Sequence, residues 1–154
     1  MKKYILSFLL LSAALFAVEE KEEPHSFKYI SIGNYLPIPI TTFSVGIRSQ
    51  ITDNFAIDRR VSFATIFSSS DLEIHGKLLS YFNDNFYCGI GGCTGFSYLV
   101  FDHKFYSELY TSPIITLGHE SDRSFQEINC RFPTFSTGGI LTIPIVSLSF
   151  GWRL

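Results

Sequence analysis

Cysteine, tryptophan and methionine are scarce in this chain, alanine nearly vanishes after the first 17 residues, and no stretch concentrates charge of one sign enough for nucleic acid. The chain has 3 Cys, 1 Trp and 1 Met in 154 residues. Cys88, Cys93 and Cys130 are an odd number, so at least one stays unpaired in an oxidising compartment. Cys88 and Cys93, read in one extended strand, stand roughly 16 Å apart at about 3.3 Å per residue, beyond the ~7 Å that a disulfide spans. The CxxC spacing of zinc and redox sites is absent, and all three are read as small apolar strand residues. His25 and His119 lie far from His75 and His103, so no metal-ligand set is visible. Gly91-Gly92 and Gly138-Gly139 lead into no lysine-bearing helix, which excludes a phosphate loop, and no cofactor is implied. Charged residues make up 17% with a net charge of −2, which argues against nucleic acid as a partner. Past residue 17 no apolar run nears the ~18 residues of a spanning helix, so membrane residence would have to be in strands.

What remains is 46% hydrophobic and 16% aromatic, with 16 Phe and 8 Tyr, a mix that favours pleated sheet. Met1-Lys2-Lys3, the apolar stretch Tyr4 to Phe16 and the small residues after it read as an export signal, cut after Ala14 or Ala17. No cysteine stands at either cut, so a lipid anchor is not indicated. Residues 1–17 are thus expected to be a signal peptide and 18–26 a disordered, charged lead. Residues 27–154 are expected to form a single domain. At the other end Val146, Leu148, Phe150, Trp152 and Leu154 alternate with small or polar residues, which demands an apolar medium for one face of a strand.

Thr52-Asp53-Asn54, Asn83-Asp84-Asn85 and Glu120-Ser121-Asp122 recur at roughly 31 and 37 residues. Each interval holds two strands of about 9 to 11 residues and a loop, so the chain predicts eight strands. They fall near residues 27–36, 42–50, 55–67, 72–82, 86–98, 104–118, 123–133 and 143–154. The three punctuators are read as tight periplasmic turns. The connections at Pro37 to Pro39, Ser68 to Asp71, Leu99 to His103 and Thr134 to Thr142 are expected to face outward.

Nearly every strand charge falls on one parity. Arg48, Asp58, Arg60, Glu73, Lys77, Glu108, Glu127, Arg131 and Arg153 are placed inside as a nearly neutral network, because an unpaired interior charge costs several kcal/mol. Tyr81, Tyr87, Tyr106, Tyr110 and Asn129 join them, with Gly89, Gly91 and Gly95 supplying room beside the large side chains. The opposite parity carries Phe43, Phe55, Phe67, Phe82, Phe86, Phe96, Phe105, Phe132 and Trp152, which form two girdles. From Phe55 to Phe67 is about 40 Å along the strand, or roughly 28 Å of height at a 45° tilt, close to the ~25 Å apolar band of membrane barrels. A soluble lipocalin-like carrier of an apolar ligand would put the greasy face inside. Three features fit less well: Arg59 has outward parity, Pro113 should break a ladder, and the first strand reads with either Ile30, Ile32 and Leu36 or Phe27, Tyr29 and Tyr35 outward.

The export signal, the eight alternating strands and the closing Leu148-Ser149-Phe150-Gly151-Trp152-Arg153-Leu154 together resemble the small eight-stranded outer-membrane β-barrels of the OmpA and OmpX type. A fainter likeness, of Gln126 to Pro133 and Pro144 to Gly151 to short barrels of chlamydia-like bacteria, implies nothing further. The main resemblance implies an all-β, antiparallel up-and-down transmembrane barrel in a Gram-negative outer membrane. It also implies contact with membrane lipid, and with the barrel-assembly machinery through the C-terminal strand, where Leu154 stands in place of the usual Phe. No catalytic residue carries over. The expectation is a non-enzymatic structural or surface-interaction role. A lipid A modifying enzyme is the alternative, with His75, Ser69, Asp71 and His103 near the outward rim as candidates for its chemistry. Eight strands leave no open lumen, so a pore is not expected.

Overall fold

The computed structural model describes residues 26–36, 40–66, 69–83, 85–101, 104–132, 135–136 and 144–154, without the side chains of 66, 99–101, 104–105 and 135–136. The signal, most of the charged lead, Phe67, His103 and parts of the expected outward connections lie outside the described residues, as does the side chain of Phe105. The strands are β1 (Ser26–Leu36), β2 (Ile40–Thr52), β3 (Phe55–Ile66), β4 (Ser69–Tyr81), β5 (Phe86–Phe101), β6 (Lys104–Glu120), β7 (Ser124–Arg131), β8 (Phe135–Ser136) and β9 (Ile145–Arg153). Each pairs antiparallel with its neighbour, and β1 pairs with β9 from Tyr29 opposite Arg153 to Leu36 opposite Val146. The sheet therefore closes on itself. Because β8 continues the line of β7 along β6, the cylinder has eight staves.

Turn chemistry puts three hairpins and both described chain ends at one end of the cylinder. Asp53 and Asn54 join β2 to β3 as a two-residue turn. At the next turn Asn83 Oδ1 accepts from the backbone N–H of Asn85 (3.0 Å) and of Phe86 (2.6 Å), an Asx turn that stands in for a backbone bond. Ser121 N–H donates to the Ser124 carbonyl at 2.7 Å across the third. At the loop end the strands run further than the alternation suggested. The β3–β4 ladder extends to Ile66 opposite Ser69, and the β5–β6 ladder to Phe101 opposite Lys104, so Ser69 to Asp71 and Leu99 to Phe101 are strand, not loop.

Parity holds around the barrel. Tyr29, Ser31 and Tyr35 of β1 are buried, whereas Ile30 and Leu36 are open, which resolves the ambiguous first strand with isoleucines and Leu36 outward. Phe55, Phe82, Phe86 and Trp152 are exposed near the turn end, and Phe43, Phe96 and Phe132 near the other. From Phe86 to Phe96 is about 33 Å along β5, roughly 23 Å of height at ~45°, the dimension of an apolar bilayer band. Pro113 does coincide with a defect. β6 stays continuous, but Pro113 lies where its partner changes, between Ile114 opposite Arg131 of β7 and Thr111 opposite Phe135 of β8, and proline has no N–H to give to the ladder there. The expected strand 123–133 ends at Arg131.

Tyr106 departs from its expected interior position. It is exposed near the loop end of β6, four residues past Tyr110 opposite Ser136, the last described pair with β8. Arg59 keeps its outward parity, but its Nη2 donates to Ser49 Oγ at 3.1 Å. Ser49 pairs with Ile57, one step nearer the turns, so the guanidinium leans toward that end.

Candidate functional site

Among the described residues the interior gathers most of the chemically active groups. Cross-strand register builds it: Arg48 faces Asp58, which faces Lys77, in one row across β2, β3 and β4. Glu127 reaches the same group from β7. It accepts from Arg48 Nη2 at 2.7 Å, Arg60 Nη2 at 2.6 Å, Lys77 Nζ at 2.9 Å and Tyr87 OH at 2.8 Å. Asp58 takes Tyr29 OH at 2.5 Å, Arg60 Nη2 at 3.0 Å and Lys77 Nζ at 3.1 Å. Charge-assisted bonds of this kind are roughly twice as strong as neutral ones, and here they satisfy groups that have no access to water.

Closer to the turns, Glu120 accepts from Arg48, from Arg153 and from Tyr81 OH. The Arg48 guanidinium also lies 4.6 Å from the Phe125 ring centroid and 4.8 Å from that of Tyr87, an arrangement suited to cation–π attraction. Toward the loop end a second cluster forms around Glu73, which accepts from Arg131, from Tyr110 OH and, at 3.0 Å, from Tyr35 OH. His75 Nε2 is 3.0 Å from Glu73 Oε2. A small cavity of about 20 Å³ separates the two clusters, bordered by Arg60, Glu73, His75, Asn129 and Arg131. It has room for about one water. At the turn end the interior opens into a vestibule of about 600 Å³ bordered by Arg48, Gln50, Asp53, Tyr81, Glu120 and Arg153.

Large side chains fit because glycine stands opposite them. Tyr29 faces Gly46, Tyr87 faces Gly118, Tyr110 faces Gly95 and Phe125 faces Gly151 in register, and a Cβ at any of the four would collide with the ring. Gly91 plays a different part: the backbone of Gly76 and Lys77 passes where its Cβ would be.

All nine charged residues expected inside have interior parity. Arg48, Asp58, Arg60, Glu73, Lys77, Glu108, Glu127 and Arg131 are buried, while Arg153 is one-third exposed at the vestibule. Sequence reasoning missed Glu120, which reads as part of a turn, and Phe125, an apolar residue on an ionic face. The glycine opposite Phe125 was the available signal. Of the groups considered for chemistry, Ser69, Asp71 and His75 share the inward parity of β4 rather than a common rim site. Asp71 and His75 are roughly 13 Å apart along the strand. His75 faces Arg60 and Cys93 across the ladders, inside the cylinder. The three cysteines are free, with Cys88 exposed, Cys93 buried and Cys130 between. Among the described residues no group of three or more His, Cys, Asp or Glu is arranged to hold a metal.

No known protein family and no curated protein matches the sequence. Solved structures do. The Yersinia pestis outer membrane protein Ail, determined in a phospholipid bilayer nanodisc, is similar with a TM-score of 0.55 at 9% identity, over 84% of this chain and 100% of that one. A de novo designed transmembrane β-barrel gives 0.50 at 9% identity, over 88% and 100%. A second designed barrel, solved by solution NMR, gives 0.52 at 7% identity, over 88% and 98%. The likeness is one of fold, and the fold is a closed, antiparallel, eight-stave transmembrane β-barrel.

Proposed function

We propose that this chain is an outer-membrane barrel of a Gram-negative cell envelope with a non-enzymatic structural or surface-interaction role. The observation that carries this reading is the inversion of the usual protein pattern. Arginine, lysine, aspartate and glutamate fill the axis, while Phe43, Ile90, Ile115, Leu117 and Phe150 stand open on the outside. An exposed apolar surface of that extent is stable only against lipid. On this reading residues 1–17 direct export, the turn end faces the periplasm, and the C-terminal strand is presented to the barrel-assembly machinery. The ion-paired core supports a scaffold rather than a conduit, since its side chains occupy the space a permeant would need.

Fractionation of cells expressing the full chain tests this directly. The protein should resist extraction without detergent and should migrate faster on a gel before boiling than after. Recovery in the detergent-free periplasmic fraction would instead favour a soluble carrier. A changed lipid A acyl pattern on deletion of the gene would overturn the non-enzymatic role.

A further inference from the structure

Among the described residues only two charged side chains lie on the outward parity of the strands, Lys28 and Arg59, and register brings them together. Both face Ile47, Lys28 from β1 and Arg59 from β3, so their Cα atoms are about two strand spacings, or roughly 10 Å, apart. Ile47 between them is partly buried, whereas Val45 and Phe43 further along the same face are open at 49% and 54%. Ser49 is buried to 5% exposure in spite of its outward parity, with Arg59 Nη2 donating to its hydroxyl. The cations thus form a polar step near the turn end of an otherwise apolar wall.

Directly beyond that step the same three strands carry an apolar groove of about 580 Å³, bordered by Ile30, Ile32, Phe43, Val45, Val61 and Phe63. The rows are continuous: Lys28–Ile47–Arg59, then Ile30–Val45–Val61, then Ile32–Phe43–Phe63. A paired cation set at one end of an apolar trough matches an amphiphile with one anionic head and hydrocarbon chains aligned with the bilayer normal. Arg59 supplies a planar fork suited to phosphate oxygens, and Lys28 a compact positive charge.

We infer that the outer face of β1, β2 and β3 is a binding site for one glycerophospholipid of the leaflet at the turn end, its phosphate held between Lys28 and Arg59 and an acyl chain running from the Ile30–Val45–Val61 row over the Ile32–Phe43–Phe63 row. The site rests on the membrane reading above, because only a barrel embedded in lipid presents this face to phospholipid. Lipid A carries phosphate too, but on the present orientation it occupies the opposite leaflet.

Native mass spectrometry of the purified, folded full chain in detergent micelles, titrated separately with dioleoylphosphatidylglycerol, dioleoylglycerol and lipid A, tests the site. Wild type should retain one phosphatidylglycerol, with dioleoylglycerol and lipid A retained at least tenfold more weakly. The double variant Lys28→Gln with Arg59→Gln should lose at least tenfold in phosphatidylglycerol retention, and the single variants less. Heat-modifiable gel mobility and insertion into phosphatidylcholine vesicles report folding and membrane residence for each variant. Equal retention by an inserted double variant, or equal retention of dioleoylglycerol, would overturn the site alone. Preference for lipid A would overturn its assignment to glycerophospholipid. Failure of the wild type to insert would overturn the membrane reading and the site with it.

Discussion

Replacing Glu127 with glutamine removes the charge on which three cations converge. Arg48, Arg60, Lys77 and Tyr87 all donate to its carboxylate. After the change Arg60 and Lys77 share Asp58 alone, and Arg48 leans on Glu120. Breaking a buried ion pair from one side costs about 3–5 kcal/mol, because the surviving charge is left without compensation. K77M is milder: Arg48 and Arg60 still balance Asp58 and Glu127, and the expected cost is the ordinary ~0.5–3 kcal/mol of a point substitution. Combining the two restores an even count, with Arg60 on Asp58 and Arg48 on Glu120. The double variant should therefore be more stable than the sum of the single losses by about 1–3 kcal/mol. The assay is urea unfolding in phosphatidylcholine vesicles, followed by the emission of the lone tryptophan, Trp152, which lies open on the outward face, and by gel mobility without boiling. A loss below ~1 kcal/mol for E127Q, or additive losses in the double variant, would refute a network that acts as a unit.

Three further outcomes follow from the two faces. Gly46→Ala drives a methyl into the Tyr29 ring and should cost about 1–3 kcal/mol, while Gly76→Ala, whose Cβ meets nothing within 4 Å, should stay within ~0.5 kcal/mol of wild type; the same unfolding assay compares them. In folded protein held in vesicles, a lipid-soluble maleimide should label Cys88 and leave the buried Cys93 untouched, and fragment-ion mass spectrometry of the tryptic peptide 78–104, which carries both, distinguishes the two sites. Ile90→Arg on the outward face should cost about 2–4 kcal/mol in the bilayer, whereas Ile51→Arg close to the turn end should cost ~0–1 kcal/mol, measured by urea titration in the same vesicles.

Most of the architecture was legible because lipid and ion network sort most side chains by parity in the middle strands, Arg59 being an exception. Phe55, Ile57, Phe63 against Asp58, Arg60, Ser62 needs no tertiary knowledge to read. The open and missed readings arose where both faces tolerate the same residue. In β1, tyrosine suits a lipid interface as well as an acid-lined axis, and only the carboxylates of Asp58 and Glu73, distant in sequence, decide for the interior. Glu120 follows directly on His119 and precedes a serine turn, so local chemistry assigns it to the turn, while the arginines that bury it come from β2 and β9. Phe125 enters an ionic face because Gly151, directly opposite it in the last strand but distant in sequence, leaves space. For the candidate site, the identities of the interior charges were readable but their partners were not, since partner choice depends on stagger between strands rather than on spacing within them.

The rings seated on glycines also bear on how such a cylinder finds its alignment. Tyr29, Tyr87, Tyr110 and Phe125 join β1 to β2, β5 to β6 and β7 to β9. Slipping β1 along β2 by one residue would turn Tyr29 toward hydrocarbon, and slipping it by two would drive its ring onto Ser44 or Arg48. Each of these seams thus admits a single offset, and a barrel zipped in the wrong offset would be left with gaps beside Gly46, Gly118 or Gly151 that no other side chain on that stave fills. The four rings act as a vernier for strand alignment, since only the observed offset seats each of them on its glycine.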